Sequence, residues 1–231
     1  MLLADNSTRL AAIAAAVILA CISHAYCQSP LDDVVPNLPY TAQILQTSIQ
    51  NLEDGSRERT ETRIVTMRDS SGRTRIENFP CNRADCDRNG DKPNVVNLYI
   101  PLRRQFIQLM PGSKTARVMT FLGTGPIPTH ANSSPTNVIT VQETLPPRTI
   151  NGIYATGTRI KTMIPSSNGQ KVEAPDVEEH WVSPELKVTV LDKYVDPHHE
   201  TIDEVQQLDR SEPDPALFEI PADYKIVNVT D

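Results

Sequence analysis

The clearest pattern of apolar and polar positions follows the only tryptophan of the chain, Trp181. Leu186, Val188 and Val190 alternate with polar residues, and a period of two is typical of a β-strand with one face in water. The dipeptide Ser183-Pro184 lies between this strand and Trp181, and proline presets φ for the second position of a tight turn. The pattern predicts an antiparallel β-hairpin that holds Trp181 against apolar neighbours.

Strand patterns recur along the rest of the chain, and turn chemistry separates them. Asp54-Gly55 and Asn151-Gly152 are dipeptides that favour hairpin turns. The predicted strands are residues 40–52, 57–68, 73–79, 95–100, 105–110, 115–121, 138–144, 148–150, 153–164, 171–182, 186–195, 201–208 and 225–229. Turns at intervals of about ten residues indicate a mainly β protein, built as one large curled antiparallel sheet or as a sandwich.

Helix is scarce, and only one helical start is convincing. Asp214 precedes Pro215, which is the pattern of an N-cap followed by proline at the first helical position. It predicts a short helical plug of about one turn that ends near Phe218. A length of 231 residues suits a single domain with a real core.

The N-terminus has the pattern of a secretory signal. Arg9 precedes the apolar run 10–22, which is about half the length needed to cross a bilayer. Cleavage before Gln28 predicts a signal peptide at 1–27, an exposed tether at 28–39 and one β domain at 40–231. Two alternatives remain open: lipid anchoring at Cys21 after a lipobox-like sequence, and a cytosolic protein with an apolar N-terminal helix.

Composition excludes some partners. The net charge of −7 provides no basic face for nucleic acid or for anionic lipid head groups.

After removal of the signal peptide, no apolar run is long enough to span a membrane, so we expect an exported protein in the periplasm or outside the cell.

The cysteines agree with export. Cleavage before Gln28 leaves Cys81 and Cys86, and an even pair in an exported chain is most simply a disulfide. A structural zinc site is the competing interpretation, but it lacks a second pair of ligands nearby.

A calcium-like loop overlaps this cysteine pair. Oxygen-bearing side chains at alternate positions, with glycine at the sixth place, are typical of calcium loops, and they are Asp85, Asp87, Asn89 and Asp91. The twelfth position is Val96 where a bidentate glutamate is usual, and no helices flank the loop. The alternative is a hydrophilic loop tied by the disulfide, in which case the protein has no cofactor.

Catalytic patterns are weak. His198 and His199 are adjacent, and His180 lies near them across the predicted hairpin, but adjacent histidines on a strand point apart and suit one metal ion poorly. No serine lies in a G-x-S-x-G frame. We therefore expect that the protein is not an enzyme. The remote alternative is a metal-dependent hydrolase that uses these histidines.

Several stretches resemble an uncharacterised family of exported bacterial proteins. They are Tyr40, Arg63 with 69–75, 114–116, 151–153 with 157–159, 181–186, and 212–218 ahead of 221–224. The wider strand order is similar to the lipoprotein-carrier superfamily of periplasmic proteins. That resemblance implies an incomplete antiparallel β-barrel around a short helical plug and an apolar cavity. The Cys81 to Cys86 insert and the His198-His199 pair depart from the pattern.

The resemblance implies a non-catalytic binding module for a lipid, an acyl chain or another apolar ligand of the cell envelope. The side chains expected to line its cavity are Leu98, Phe106, Leu109, Trp181, Leu186, Val188, Val190 and Phe218. The alternative is that these side chains fill a solid core. The protein would then be an interaction or sensor module whose sheet edge and acidic surface meet an envelope protein.

Overall fold

The computed structural model describes residues 34–80, 92–121, 139–163 and 175–229. The strands within these residues are β1 Tyr40–Asn51, β2 Arg57–Arg68, β3 Thr74–Pro80, β4 Val95–Ile100, β5 Gln105–Met110, β6 Thr115–Thr120, β7 Ile139–Ile150, β8 Ile153–Met163, β9 Asp176–Ser183, β10 Val188–Val195, β11 His199–Asp209 and β12 Lys225–Val229. Single-turn 3₁₀ helices span Pro101–Arg103 and Pro215–Phe218. The helical plug predicted after Asp214 is therefore present as a 3₁₀ turn.

The twelve strands form one open sheet in the order β12-β6-β5-β4-β3-β2-β1-β11-β10-β9-β8-β7. Every pairing is antiparallel except that of β12, which runs parallel to β6. The sheet curls: Asn151, in the turn between β7 and β8, donates from Nδ2 to the carbonyl oxygen of Val205 on β11 at 2.7 Å. These observations confirm the predicted mainly β fold with one large, curled and unclosed sheet.

Two local departures from the predicted strands have physical reasons. Residues 138–144 and 148–150 were expected as separate strands, yet β7 is continuous and its register shifts between Leu145 and Arg148 around two prolines. Proline has no N–H to donate, so an edge strand with a bulge tolerates it. The hairpin turn before β10 extends to Lys187, whose φ is 53° and whose N–H donates to the carbonyl oxygen of Ser183 at 2.9 Å.

Buried apolar side chains form two clusters. The tryptophan cluster, where β7–β10 curl over β1 and β11, consists of Tyr40, Ala42, Ile44, Leu145, Ile150, Ala155, Trp181, Leu186, Val188, Val190 and Val205. The leucine cluster, on β4–β6, consists of Val96, Leu98, Ile100, Ile107, Leu109, Ala116 and Val118.

The two clusters lie on opposite faces of the sheet. Directly paired residues on neighbouring strands point to the same face, and Leu98 is paired with Arg75, which is paired with Met67. Met67 is in turn paired with Thr41. Ala42 follows Thr41 and so points to the other face. Alternation predicted the apolar positions of each strand. We expected these positions to form a single concave apolar face, but the two halves of the sheet bury opposite faces.

Trp181 closes the tryptophan cluster and is 4% exposed. Its ring lies over Gly157 on the neighbouring strand β8, and the guanidinium carbon of Arg148 lies 3.9 Å from the ring centroid. The indole N–H donates to a carboxylate oxygen of Glu179 at 3.4 Å. The ring is therefore packed against β8 and against a side chain of β7.

We expect Gly157→Ala to lower the free energy of unfolding by about 1 to 3 kcal/mol, the usual cost of overfilling a core. A Cβ at this position would lie 2.7 Å from two ring carbons of Trp181. Urea unfolding followed by tryptophan fluorescence measures the change. Gly112→Ala is the matched control, because a Cβ there meets nothing within 4 Å. Equal midpoints for the two variants would contradict the prediction.

The predicted signal peptide, most of the tether and the Cys81 to Cys86 insert lie outside the described residues. Among the residues that are described, no helix is long and apolar enough to cross a membrane.

Candidate ligand-binding cleft

After β11 the chain crosses the face that carries the leucine cluster, through residues 213–224, here called the cover segment. Side chains of the sheet hold this segment at several points. Arg75 donates from Nη1 to the carbonyl oxygen of Leu217 at 2.7 Å, and Lys114 forms an ion pair with Asp223 at 2.8 Å. Just ahead of the segment, the backbone N–H of Ser70 donates to Glu212 at 2.9 Å.

The 3₁₀ turn of the cover segment places Phe218 against the sheet. Asp214 caps the turn by accepting the backbone N–H of Ala216 at 2.9 Å, the role expected of an aspartate N-cap. Phe218 is 1% exposed, and the guanidinium of Arg73 stands 4.9 Å from its ring centroid. Ile220 packs against the leucine cluster.

Between the cover segment and the sheet lies a cleft of about 500 Å³. Its apolar lining comes from Ile100, Leu102, Ile107, Val118, Phe218, Ile220 and Ile226. Leu102 is 83% exposed and Ile226 is 55% exposed, so apolar side chains also form its mouth. The volume lies within the range of small-molecule pockets, about 300 to 1,000 Å³.

Polar side chains also line this cleft, and they are Ser71, Arg73, Arg103, Gln105, Glu219 and Asn228. Arg73 is engaged within the protein: Nε contacts Asp69 at 2.6 Å and Nη1 contacts Glu219 at 2.9 Å. Burial opposes ionisation of Asp69, but hydrogen bonds from Arg73 and Ser71 outweigh it and hold the pKa of its carboxyl below the usual value.

Arg103 differs from Arg73. It ends the 3₁₀ helix Pro101–Arg103 and is exposed. No carboxylate within the described ranges 34–80, 92–121, 139–163 and 175–229 forms an ion pair with it. The cleft therefore has one guanidinium that is neutralised by the fold and one that faces solvent.

The structure separates the eight side chains that were expected to line one cavity. Leu98 and Leu109 belong to the leucine cluster, beneath the cleft, and Phe218 lines the cleft itself. Phe106 is paired with Tyr99 rather than with Leu98, so it lies on the opposite face, where the two rings are 4.9 Å apart. Four residues belong to the tryptophan cluster: Trp181, Leu186, Val188 and Val190.

The predicted disulfide residues Cys81 and Cys86 lie outside the described residues, as do the calcium-loop residues Asp85, Asp87, Asn89 and Asp91. These two predictions remain predictions.

The histidines considered as metal ligands are not brought together. His180 contacts Asp192 at 3.1 Å and Glu178 at 3.3 Å, and hydrogen bonds to these carboxylates raise the pKa of His180 to about 10. His199 is instead hydrogen-bonded to Ser48 at 2.7 Å. Within the described part of the chain, no group of three or more histidine, cysteine or acidic side chains could hold a metal ion.

Of the thirteen described residues that line the cleft, only Phe218 was among the predicted cavity residues, and those that were not include Arg73, Arg103, Leu102, Ile226 and Asn228. Period-two alternation in β12 could have placed Ile226 and Asn228 on one face of the strand. No sequence signal indicates which face of β4–β6 the cover segment crosses, and that crossing creates the cleft.

No family model matches the chain, and no curated protein matches it. Three solved structures are similar over most of its length. A LolA superfamily protein from Nitrosomonas europaea has 6% identity and a TM-score of 0.32, covering 86% of this chain and 98% of that one. A DUF1329 family protein from Desulfovibrio piger has 11% identity and a TM-score of 0.32, covering 84% and 94%.

The third is an outer membrane lipoprotein-sorting protein domain from Vibrio parahaemolyticus, with 10% identity and a TM-score of 0.31, covering 78% of this chain and 88% of that one. The names of the first and third of these structures match the lipoprotein-carrier superfamily to which the strand order of this chain is similar.

Proposed function

We propose that this protein is an exported, non-catalytic binding module for a lipid or another apolar ligand of the cell envelope, and that the ligand lies in the cleft beneath the cover segment. One observation carries the proposal: an apolar cleft of about 500 Å³ opens through Leu102 and Ile226 at its mouth. Exposed apolar side chains around a concave opening are typical of ligand sites.

Affinity for such a ligand comes mainly from apolar surface that leaves water. Each methylene that becomes fully buried contributes about 0.8 kcal/mol, which corresponds to roughly a fourfold gain in affinity. Partial burial in an open cleft lowers that gain, so about two- to fourfold per methylene is expected.

A series of saturated fatty acids of increasing chain length tests the proposal by isothermal titration calorimetry with the mature protein. We expect the affinity to rise about two- to fourfold with each methylene and to level off when the cleft is full. No binding at any chain length would overturn the proposal, as would an affinity that is independent of chain length.

A charged side chain introduced at the mouth of the cleft tests whether the ligand binds there. We expect Leu102→Glu to weaken binding of the longest bound fatty acid by about tenfold, because an ionised carboxylate is costly to bring against an acyl chain. Leu52→Glu is the matched control, because Leu52 is also exposed, at 39%, and does not line the cleft. An equal loss of affinity in both variants would mean that the ligand binds outside this cleft.

A second candidate function is protein recognition through the sheet edge. Among the described strands, β12 pairs with β6 alone, and all five of its residues are exposed. An unpaired edge can accept a strand from another protein. A binding partner captured by the wild type and lost in Val227→Pro, together with no fatty-acid binding, would favour this candidate over the first.

A further inference from the structure

One end of the cleft carries the side chains of Arg103 and Gln105. Gln105 begins β5, two residues after the 3₁₀ helix ends at Arg103, and it is paired with Ile100 and Thr120. Further along the strands Ile107 is opposite Val118, and Asn228 on β12 is the polar neighbour of Val118. A ligand that lies along this cleft therefore meets a charged end, at Arg103, and a mostly apolar stretch beyond it.

The two guanidinium groups of the cleft lining differ in their ion pairs. Two guanidinium groups and one carboxylate line the cleft, from Arg73, Arg103 and Glu219. Arg73 is bound to both Asp69 and Glu219, so its charge is already neutralised. The exposed guanidinium of Arg103 has no such partner among the described residues, and a guanidinium suits carboxylate and phosphate groups.

The size of the cleft limits the apolar part of the ligand. A cavity of about 150 Å³ holds one benzene ring. A cleft of about 500 Å³ is therefore large enough for on the order of twenty carbon atoms. That volume matches a single acyl chain.

We propose that the ligand is a single-chain amphiphile with an anionic head group, whose head binds Arg103 and whose chain lies against Ile107, Val118 and Ile226. The inference rests on the proposed function and specifies the chemical class of the ligand. The acyl chain supplies affinity in proportion to its length, and the anionic head fixes the orientation of the ligand in the cleft.

The test compares ligands that differ only in the head group. A fatty acid, an alkyl phosphate and a fatty alcohol of equal chain length are titrated into the wild type, Arg103→Gln and Arg117→Gln. Arg117 is the matched control, because it follows Ala116 and precedes Val118, which belong to the leucine cluster, and so it points to the opposite face.

We expect at least one of the two anionic ligands to bind the wild type about tenfold more tightly than the alcohol, as for a hydrogen bond to a charged group. Arg103→Gln removes that tenfold difference and leaves alcohol binding unchanged, whereas Arg117→Gln changes neither. The preferred anion distinguishes a carboxylate head group from a phosphate head group.

Equal affinities of acid, phosphate and alcohol for the wild type would overturn this inference and leave the proposed function standing. Equal weakening of all three ligands by Arg103→Gln would also overturn it, since the side chain would then act on the shape of the cleft. Failure of all three ligands to bind the wild type would overturn the proposed function as well.

Discussion

Replacing Arg68 with alanine is expected to lower the free energy of unfolding by about 3 to 5 kcal/mol. Arg68 is 6% exposed, and it donates to three backbone carbonyl oxygens, those of Leu38 at 2.9 Å, Lys187 at 3.3 Å and Leu186 at 2.5 Å. Its guanidinium also lies 4.7 Å from the ring centroid of Tyr40. The side chain joins the end of β2 to the turn before β10, across the curl of the sheet.

Two effects of opposite sign compete at Arg68. Burial disfavours the charged guanidinium and holds its pKa below the usual value, so removal of the charge relieves a desolvation cost. Alanine, however, leaves a cavity, and it leaves three carbonyl oxygens without the donor that Arg68 supplies. Each hydrogen bond lost in this way costs about 1 to 3 kcal/mol. The second effect is larger, because alanine does not fill the space that the guanidinium occupies.

Urea unfolding measures this change, and Trp181, the only tryptophan, reports it by fluorescence. Arg210→Ala is the control: Arg210 pairs with Glu185 at 2.6 Å, but its side chain is 58% exposed, and exposed pairs contribute about 1 kcal/mol or less. Arg68→Lys keeps the charge with fewer correctly placed donors, so an intermediate loss is expected. A loss in Arg68→Ala no greater than that in Arg210→Ala would contradict the prediction.

The strands were predictable because strand patterning and turn chemistry are local. β2, β4 and β5 begin and end where the sequence predicted, at 57–68, 95–100 and 105–110. Their turns are close in sequence, and each has residues that stabilise it without help from the rest of the chain. The helical turn after Asp214 was predictable for the same reason, because its cap and its proline are adjacent.

The buried face of each strand was not predictable in the same way. Alternation shows which residues share a face, but it does not show what covers that face. Phe106 was grouped with Leu98 because both are apolar, yet the register places them on opposite faces. The path of the cover segment decides which of these faces borders the cleft. Contacts between residues that are distant in sequence set that path, such as the contact between Arg75 and Leu217.

Replacing Phe218 with alanine is expected to lower the free energy of unfolding by about 3 to 5 kcal/mol, the usual cost of truncating a buried phenylalanine. Phe218 is 1% exposed and is the side chain through which the 3₁₀ turn meets the sheet. Its loss removes the ring beneath the guanidinium of Arg73 and opens a void beside the cleft. Arg75 still holds the carbonyl oxygen of Leu217, so the cover segment is weakened rather than released.

A graded set of variants tests this prediction by urea unfolding. Phe218→Leu keeps most of the apolar volume and is expected to cost less than Phe218→Ala, at about 1.5 kcal/mol. Leu102→Ala is the matched control, because Leu102 lines the same cleft but is 83% exposed, and its truncation is expected to change stability by about 0.5 kcal/mol or less. If Phe218→Ala cost no more than Leu102→Ala, Phe218 would contribute little to folding, and its ring would not anchor the 3₁₀ turn on the sheet.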